Sequence, residues 1–208
     1  MTTKLDTYVS SGSFAADIER FYPDRPVSQA APGVRPEQLE KLPASVKKEL
    51  LALDALARAG KVPALGKNPG LRVGFFDFGY SLAEDLGDEL EEVFEDGGKP
   101  LELARTAIGL ADNGGGVMFC LLEDGTVAGL SMESFHSWQW YRFDDLGTFC
   151  WVLLHGTAVG DDKYPVEDFK AKVAELDCAL TAKVLLPFSK EILPPLPEHL
   201  EDMPAWLQ

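Results

Sequence analysis

The Asp124-Gly125 dipeptide constrains the fold of this chain more than any other feature, because it sits between two β-rich apolar runs, residues 116–122 and 126–132. A tight I′-type turn needs positive φ, which Asp-Gly supplies at little cost, so the pair predicts a β-hairpin. A third β-rich run, 105–111, precedes these two across Asp112-Asn113-Gly114-Gly115-Gly116. The three together predict an antiparallel meander at the centre of the chain. That glycine-rich loop does not read as a phosphate cradle. Such a cradle opens onto a helix N-terminus, whereas here a strand precedes and a strand follows, and the loop carries no lysine.

Helical periodicity flanks the meander. Residues 13–22 place Phe14, Ile18 and Phe21 on one face behind Ser13 as cap, and a passage with Pro23, Pro26, Pro32 and Pro36 follows as extended connection. Residues 44–59 repeat Val46, Leu50, Leu53 and Leu56 at helical spacing up to Gly60. Arg72–Phe78 reads as a strand. Residues 81–96 read as one helix: Ser81-x-x-Glu84 forms a capping box, Leu82, Leu86, Leu90, Val93 and Phe94 form the apolar stripe, and Gly97-Gly98 ends it. After the meander, a helix over about 145–155 stops at Gly156, and another opens at Pro165 and runs through Val166, Phe169, Val173, Leu176 and Leu180. The expected fold is α+β, a small antiparallel sheet flanked by helices before and after it. Its parts are N-terminal helices with the Pro-rich connection (1–70), an α+β core (71–190) and a Pro-rich acidic tail (191–208), in one domain overall.

Charge narrows the function. Thirty-four acids oppose 19 Lys plus Arg, a net charge of −15 over 208 residues. Phosphate backbones and anionic lipid repel such a chain, so nucleic acid and membrane surfaces are poor partners and a basic protein is a good one. Acidity also serves solubility alone. Cys120, Cys150 and Cys178 form no C-x-x-C pair and lie among apolar neighbours, which suits buried thiols in a reducing cytoplasm. The N-terminus shows no secretory signal pattern, and no apolar run approaches the ~20 residues of a bilayer span. The expected location is cytoplasmic.

Few motifs carry chemistry. His136, His155 and His199 have no metal-ligand companion at helical spacing, and neither H-E-x-x-H nor G-x-S-x-G occurs. No metal, cofactor or catalytic residue is expected. The acids are more specific: nine lie between Val73 and Gly98 with no Lys or Arg among them. On an unbroken helix Glu84, Asp88, Glu91 and Glu95 share one outer stripe. Like charges so spaced repel by a few tenths of a kcal/mol per pair, so the row either docks a cationic surface or is a solvated face. It lacks the loop that folds oxygens around calcium. Trp138 and Trp140 fall on one face of an extended segment, with Tyr141 on the other, and are either core residues or interface anchors.

The run Thr106-Ala-Ile-Gly-Leu-Ala-Asp-Asn-Gly-Gly-Gly-Val-Met-Phe-Cys-Leu-Leu-Glu-Asp-Gly-Thr-Val-Ala-Gly resembles the sheet core of the SUKH superfamily, which includes cell-wall-assembly regulators and bacterial immunity proteins. The Phe- and Leu-rich helix after it, and Leu42-Pro43 followed by Lys47, Leu50 and Leu51, are similar to that pattern as well. The family's Asn-Gly-Gly after the first helix is absent, since Gly60-Lys61-Val62-Pro63 stands there. The resemblance implies a non-enzymatic binding fold, often an immunity factor that neutralises a toxin, frequently a nuclease. Nucleases grip phosphate and tend to be basic, so an acidic inhibitor would act as a phosphate mimic.

The leading expectation is therefore an acidic binding protein that neutralises a basic toxin, using Glu84, Asp88, Glu91 and Glu95 with Trp138 and Trp140 as partner-binding residues. The rivals are a small cytoplasmic hydrolase built on scattered acids with His136 or His155, and a regulatory scaffold. Oligomeric state is left open.

Overall fold

A computed structural model describes residues 5–24, 33–62, 79–95, 97–113, 116–133, 136–186, 192–196 and 206. At its centre lies an antiparallel sheet of four strands in sequential order: β1 (Ile108–Asp112), β2 (Val117–Leu121), β3 (Val127–Ser131) and β4 (Ser137–Phe143). The meander is present, and β4 extends it by a strand drawn from the aromatic segment. The expected first strand begins three residues later, because 98–106 are helical. The expected strand at 72–78 lies outside the described residues.

Both faces of the sheet are covered, which explains why β2 is apolar throughout rather than alternating. Phe119 and Leu121 point into one hydrophobic cluster, Met118, Cys120 and Leu122 into another. Over the first face lie α1 (Ser13–Phe21), α3 (Ala44–Arg58), α7 (Leu146–Gly160), α8 (Val166–Glu175) and α9 (Ala179–Leu185). A single turn, α2 (Pro36–Leu39), leads towards α3. The second face carries α4 (Leu82–Leu86), α5 (Leu90–Val93) and α6 (Gly98–Thr106). The architecture is α+β.

Helix α7 is the axis of the larger layer, buried from Leu146 through Val159. Asp145 caps it, accepting from the Thr148 amide at 2.7 Å and the Thr148 hydroxyl at 2.9 Å. Gly156, which the sequence marks as the stop of this helix, lies inside it, where a Cβ would come within 1.9 Å of Leu186 Cδ1. Glycine here serves close packing, not termination. The helix expected from Pro165 through Leu180 is likewise two, because Asp177 turns to φ +52° between α8 and α9. At α1 the cap position belongs to Gly12 rather than Ser13.

Buried carboxylates tie the N-terminal segments down. Glu49 of α3 accepts from the Val9 amide at 2.8 Å and the Ser10 amide at 2.9 Å. Asp54, one turn on, accepts from the Val34 amide at 2.8 Å and from Arg58 at 2.8 Å. Buried acids need such donors, since losing hydration without them is costly. At the β1 edge, the Gly79 amide donates to Gly109 O at 2.8 Å and the Gly109 amide donates to Tyr80 O at 3.0 Å. With Gly79 at φ +83°, this is the bond pattern of a G1 bulge.

Candidate functional site

The acidic segment is anchored from beneath by Leu82, Leu90 and Phe94, which pack with Met118, Leu122, Leu130 and Trp138. Above them, Glu84, Asp85, Asp88, Glu89, Glu91, Glu92 and Glu95 are all exposed. The sequence leads to one helix over 81–96; the structure breaks it. Gly87 turns to φ +51°, ψ −122°, and Gly87–Glu89 form a 3-10 turn between α4 and α5. The spacing that aligned four acids presumed an uninterrupted 100° per residue, and the break resets that phase. Glu84 therefore lies on α4, Asp88 in the turn, Glu91 on α5 and Glu95 beyond it.

Nor is the row unmatched. Glu84 is paired with Arg35, which also approaches Glu37 at 3.6 Å, and Glu91 accepts from Arg105 Nη2 at 2.7 Å. Both arginines come from other parts of the chain, so the composition of the segment gives no sign of them. The expected capping box is absent for the same reason: Ser81 makes no side-chain cap bond, and the Glu84 carboxylate goes to Arg35. Asp88 and Glu95 have no side-chain partner among the described residues. Of the four acids expected to share the stripe, these two keep their charge unopposed by a cation among the described residues, as Asp85, Glu89 and Glu92 do beside them.

Helix α6, which supplies Arg105, was hidden by Gly97-Gly98, read from sequence as the end of a helix. Those glycines instead open the next one, at φ +59° and +57°. Pro100 in its first turn and the Leu101 and Ala104 spacing were the available signals. Between Gln38, Lys41, Glu84, Arg105 and Glu123 lies an open cleft of about 220 Å³. Its lining mixes both signs.

The two tryptophans separate. Between β3 and β4 the register moves from Leu130↔Trp138 to Ala128↔Arg142, so two steps on β3 face four on β4. This bulge places Trp140 against the first cluster, edge-on to Tyr141, while Trp138 is buried in the second. Trp138 Nε1 donates to Pro100 O at 3.0 Å, and Trp206 packs edge-to-face on its ring.

The histidines are also apart. His136 lies by Phe94 beside the second cluster, its pKa lowered by burial against the opposing pull of Asp85. His155 is buried on α7, stacked on Trp151 at 4.3 Å and met edge-on by Phe21 and Tyr164. Burial outweighs Asp17 and brings its pKa down to about 4. The ring is thus neutral at pH 7. A proton on Nδ1 then satisfies the Trp151 carbonyl at 3.1 Å, and the 3.5 Å approach to Asp17, which the Tyr8 hydroxyl holds at 2.7 Å, is no ion pair. All three thiols are buried; burial raises Cys178 to about 12 and Cys150 well above the ordinary thiol value. Among the described residues no group of three or more His, Cys, Asp or Glu is arranged to hold a metal ion, and no helix is long and apolar enough to cross a membrane.

The fold and surface thus define an acidic α+β protein with a carboxylate-rich layer over one sheet face. No family model, curated protein or solved structure matches the chain.

Proposed function

We propose that this chain is a non-enzymatic, cytoplasmic binding protein that docks on a basic protein, in the manner of an immunity protein neutralising a cognate toxin. The observation that carries the reading is the set of seven exposed carboxylates within residues 81–95, a stretch with no Lys or Arg. They stand on a layer fixed to the sheet by Leu82, Leu90 and Phe94, so their charge is presented by a scaffold. A fixed field of one sign speeds the encounter with a cationic cleft and repels nucleic acid. Asp88 and Glu95 lead the encounter, while Glu84 and Glu91 exchange their intramolecular arginines for the partner's cations. The SUKH resemblance of residues 106–129 supports the same reading.

The test is the product of the neighbouring open reading frame. Co-expression should yield a stoichiometric complex and abolish that product's toxicity. Binding should weaken sharply as added salt shortens the Debye length from ~10 Å towards ~3 Å. A neighbour that is neither toxic nor bound would remove the immunity reading.

A further inference from the structure

Trp206 is held in the second sheet-face layer by three kinds of contact at once. Its ring meets Trp138 edge-to-face at 6.2 Å, the Arg142 guanidinium lies 5.5 Å over its centroid, and Lys99 Nζ donates to its carbonyl oxygen. We propose that the Lys99–Trp138–Arg142 groove is a recognition seat for a tryptophan carried on an acidic segment, filled in cis by Trp206 and able to accept the same segment in trans.

The contacts read both a side chain and its backbone. The aromatic edge and the cation over the ring select a large electron-rich ring, and the ammonium fixes the chain beside it. The charge is complementary: residues 191–208 contain four acids and no Lys or Arg, while the seat contributes one Lys and one Arg. The fit is also incomplete. Trp206 Nε1 is shielded from water yet has no hydrogen-bond partner among the described residues, unlike Trp138 Nε1, which reaches Pro100 O. A core tryptophan normally satisfies that donor. An occupant that leaves its donor unpaired is held by ring and charge contacts, and such contacts can be exchanged. In the intact chain the covalent connection keeps Trp206 beside the seat, so a free segment competes poorly until the cis residue is removed.

The test uses the full-length Trp206→Ala chain and a synthetic peptide of residues 197–208, followed by amide and indole resonances. The expected result is saturable binding, with shifts centred on the Trp138 indole, Lys99 and Arg142. The intact chain should bind the same peptide at least tenfold more weakly. A peptide carrying Trp206→Ala should not bind, and Arg142→Glu in the protein should weaken binding several-fold. Absence of shifts at millimolar peptide, or equal shifts from the alanine peptide, would overturn the proposal. So would unfolding of the Trp206→Ala chain, since Trp206 would then be core rather than an exchangeable occupant.

Discussion

Arg105 and Glu91, fourteen residues apart, meet at 2.7 Å across the gap between α6 and α5. The pairing matters because it trims a charge that the sequence presents as unopposed, and the Arg35–Glu84 pair does the same on α4. Exposed pairs of this kind contribute little to stability, about 0–1 kcal/mol. Their effect is on where the residual field lies.

From this follows an ordering of charge reversals. Reversing Asp88 and Glu95 to Lys should slow association with the basic partner more than reversing Glu84 and Glu91, because Asp88 and Glu95 meet the partner's cations directly whereas Glu84 and Glu91 must first give up their own arginines. Reversal of all four should slow it about tenfold or more at low salt and hardly at all in ~1 M salt. Stopped-flow association rates check this. Equal effects from the two pairs would place the steering field elsewhere.

Glu49 bears on stability rather than binding. Its carboxylate is 3% exposed and satisfies two backbone amides forty residues away. Glu49→Ala should strand those donors and cost about 2–4 kcal/mol, measured as a lowered urea midpoint with unchanged slope. Glu49→Gln keeps one acceptor oxygen and should cost less.

His155 should make stability depend on pH. Its folded-state pKa of about 4 is below the ordinary 6.5, so between those values the unfolded chain binds a proton that the folded chain refuses. Stability contributed by the neutral ring is full above pH 6.5 and is lost as pH falls towards 4, by about 2–3 kcal/mol. Wild type should therefore lose that much more than His155→Phe over the same range, compared by denaturation at each pH. Parallel pH profiles would show that the ring is protonated when folded.

Two glycines of α7 should respond unequally to alanine. In an open helix each substitution would gain about 1 kcal/mol. A Cβ on Gly147 would lie 1.8 Å from the Leu5 carbonyl oxygen, whereas one on Gly156 meets a leucine methyl at 1.9 Å. Backbone yields less readily than a side-chain end. Gly147→Ala should therefore lose about 2 kcal/mol or more and Gly156→Ala less, within the usual range for overpacking. Thermal midpoints decide the order.

The thiols offer a simple check on burial. Cys120, Cys150 and Cys178 are all buried out of a reagent's reach, and burial also suppresses ionisation of Cys150 and Cys178, which slows their reaction further. A thiol-specific reagent at pH 8 should label none in the native protein within minutes and all three in denaturant.

The α+β class, a hairpin at Asp124-Gly125, the apolar faces of α1, α3 and α8, and the acidic character of residues 81–95 were all legible in the sequence, although the hairpin is not turned by the expected I′ pair, since Gly125 takes positive φ (+89°) and Asp124 does not. These rest on local turn chemistry and short-range periodicity, which neighbouring residues alone specify. The three-dimensional packing alone shows that the acidic segment is two short helices, that Arg35 and Arg105 neutralise half of the expected stripe, and that Trp138 and Trp140 lie on opposite faces. The break lies at the positive φ of Gly87, the arginine pairs are contacts between residues far apart in the chain, and the parting of the tryptophans follows a bulge set by the partner strand. Periodicity counts positions along one element, but it carries no record of what that element packs against.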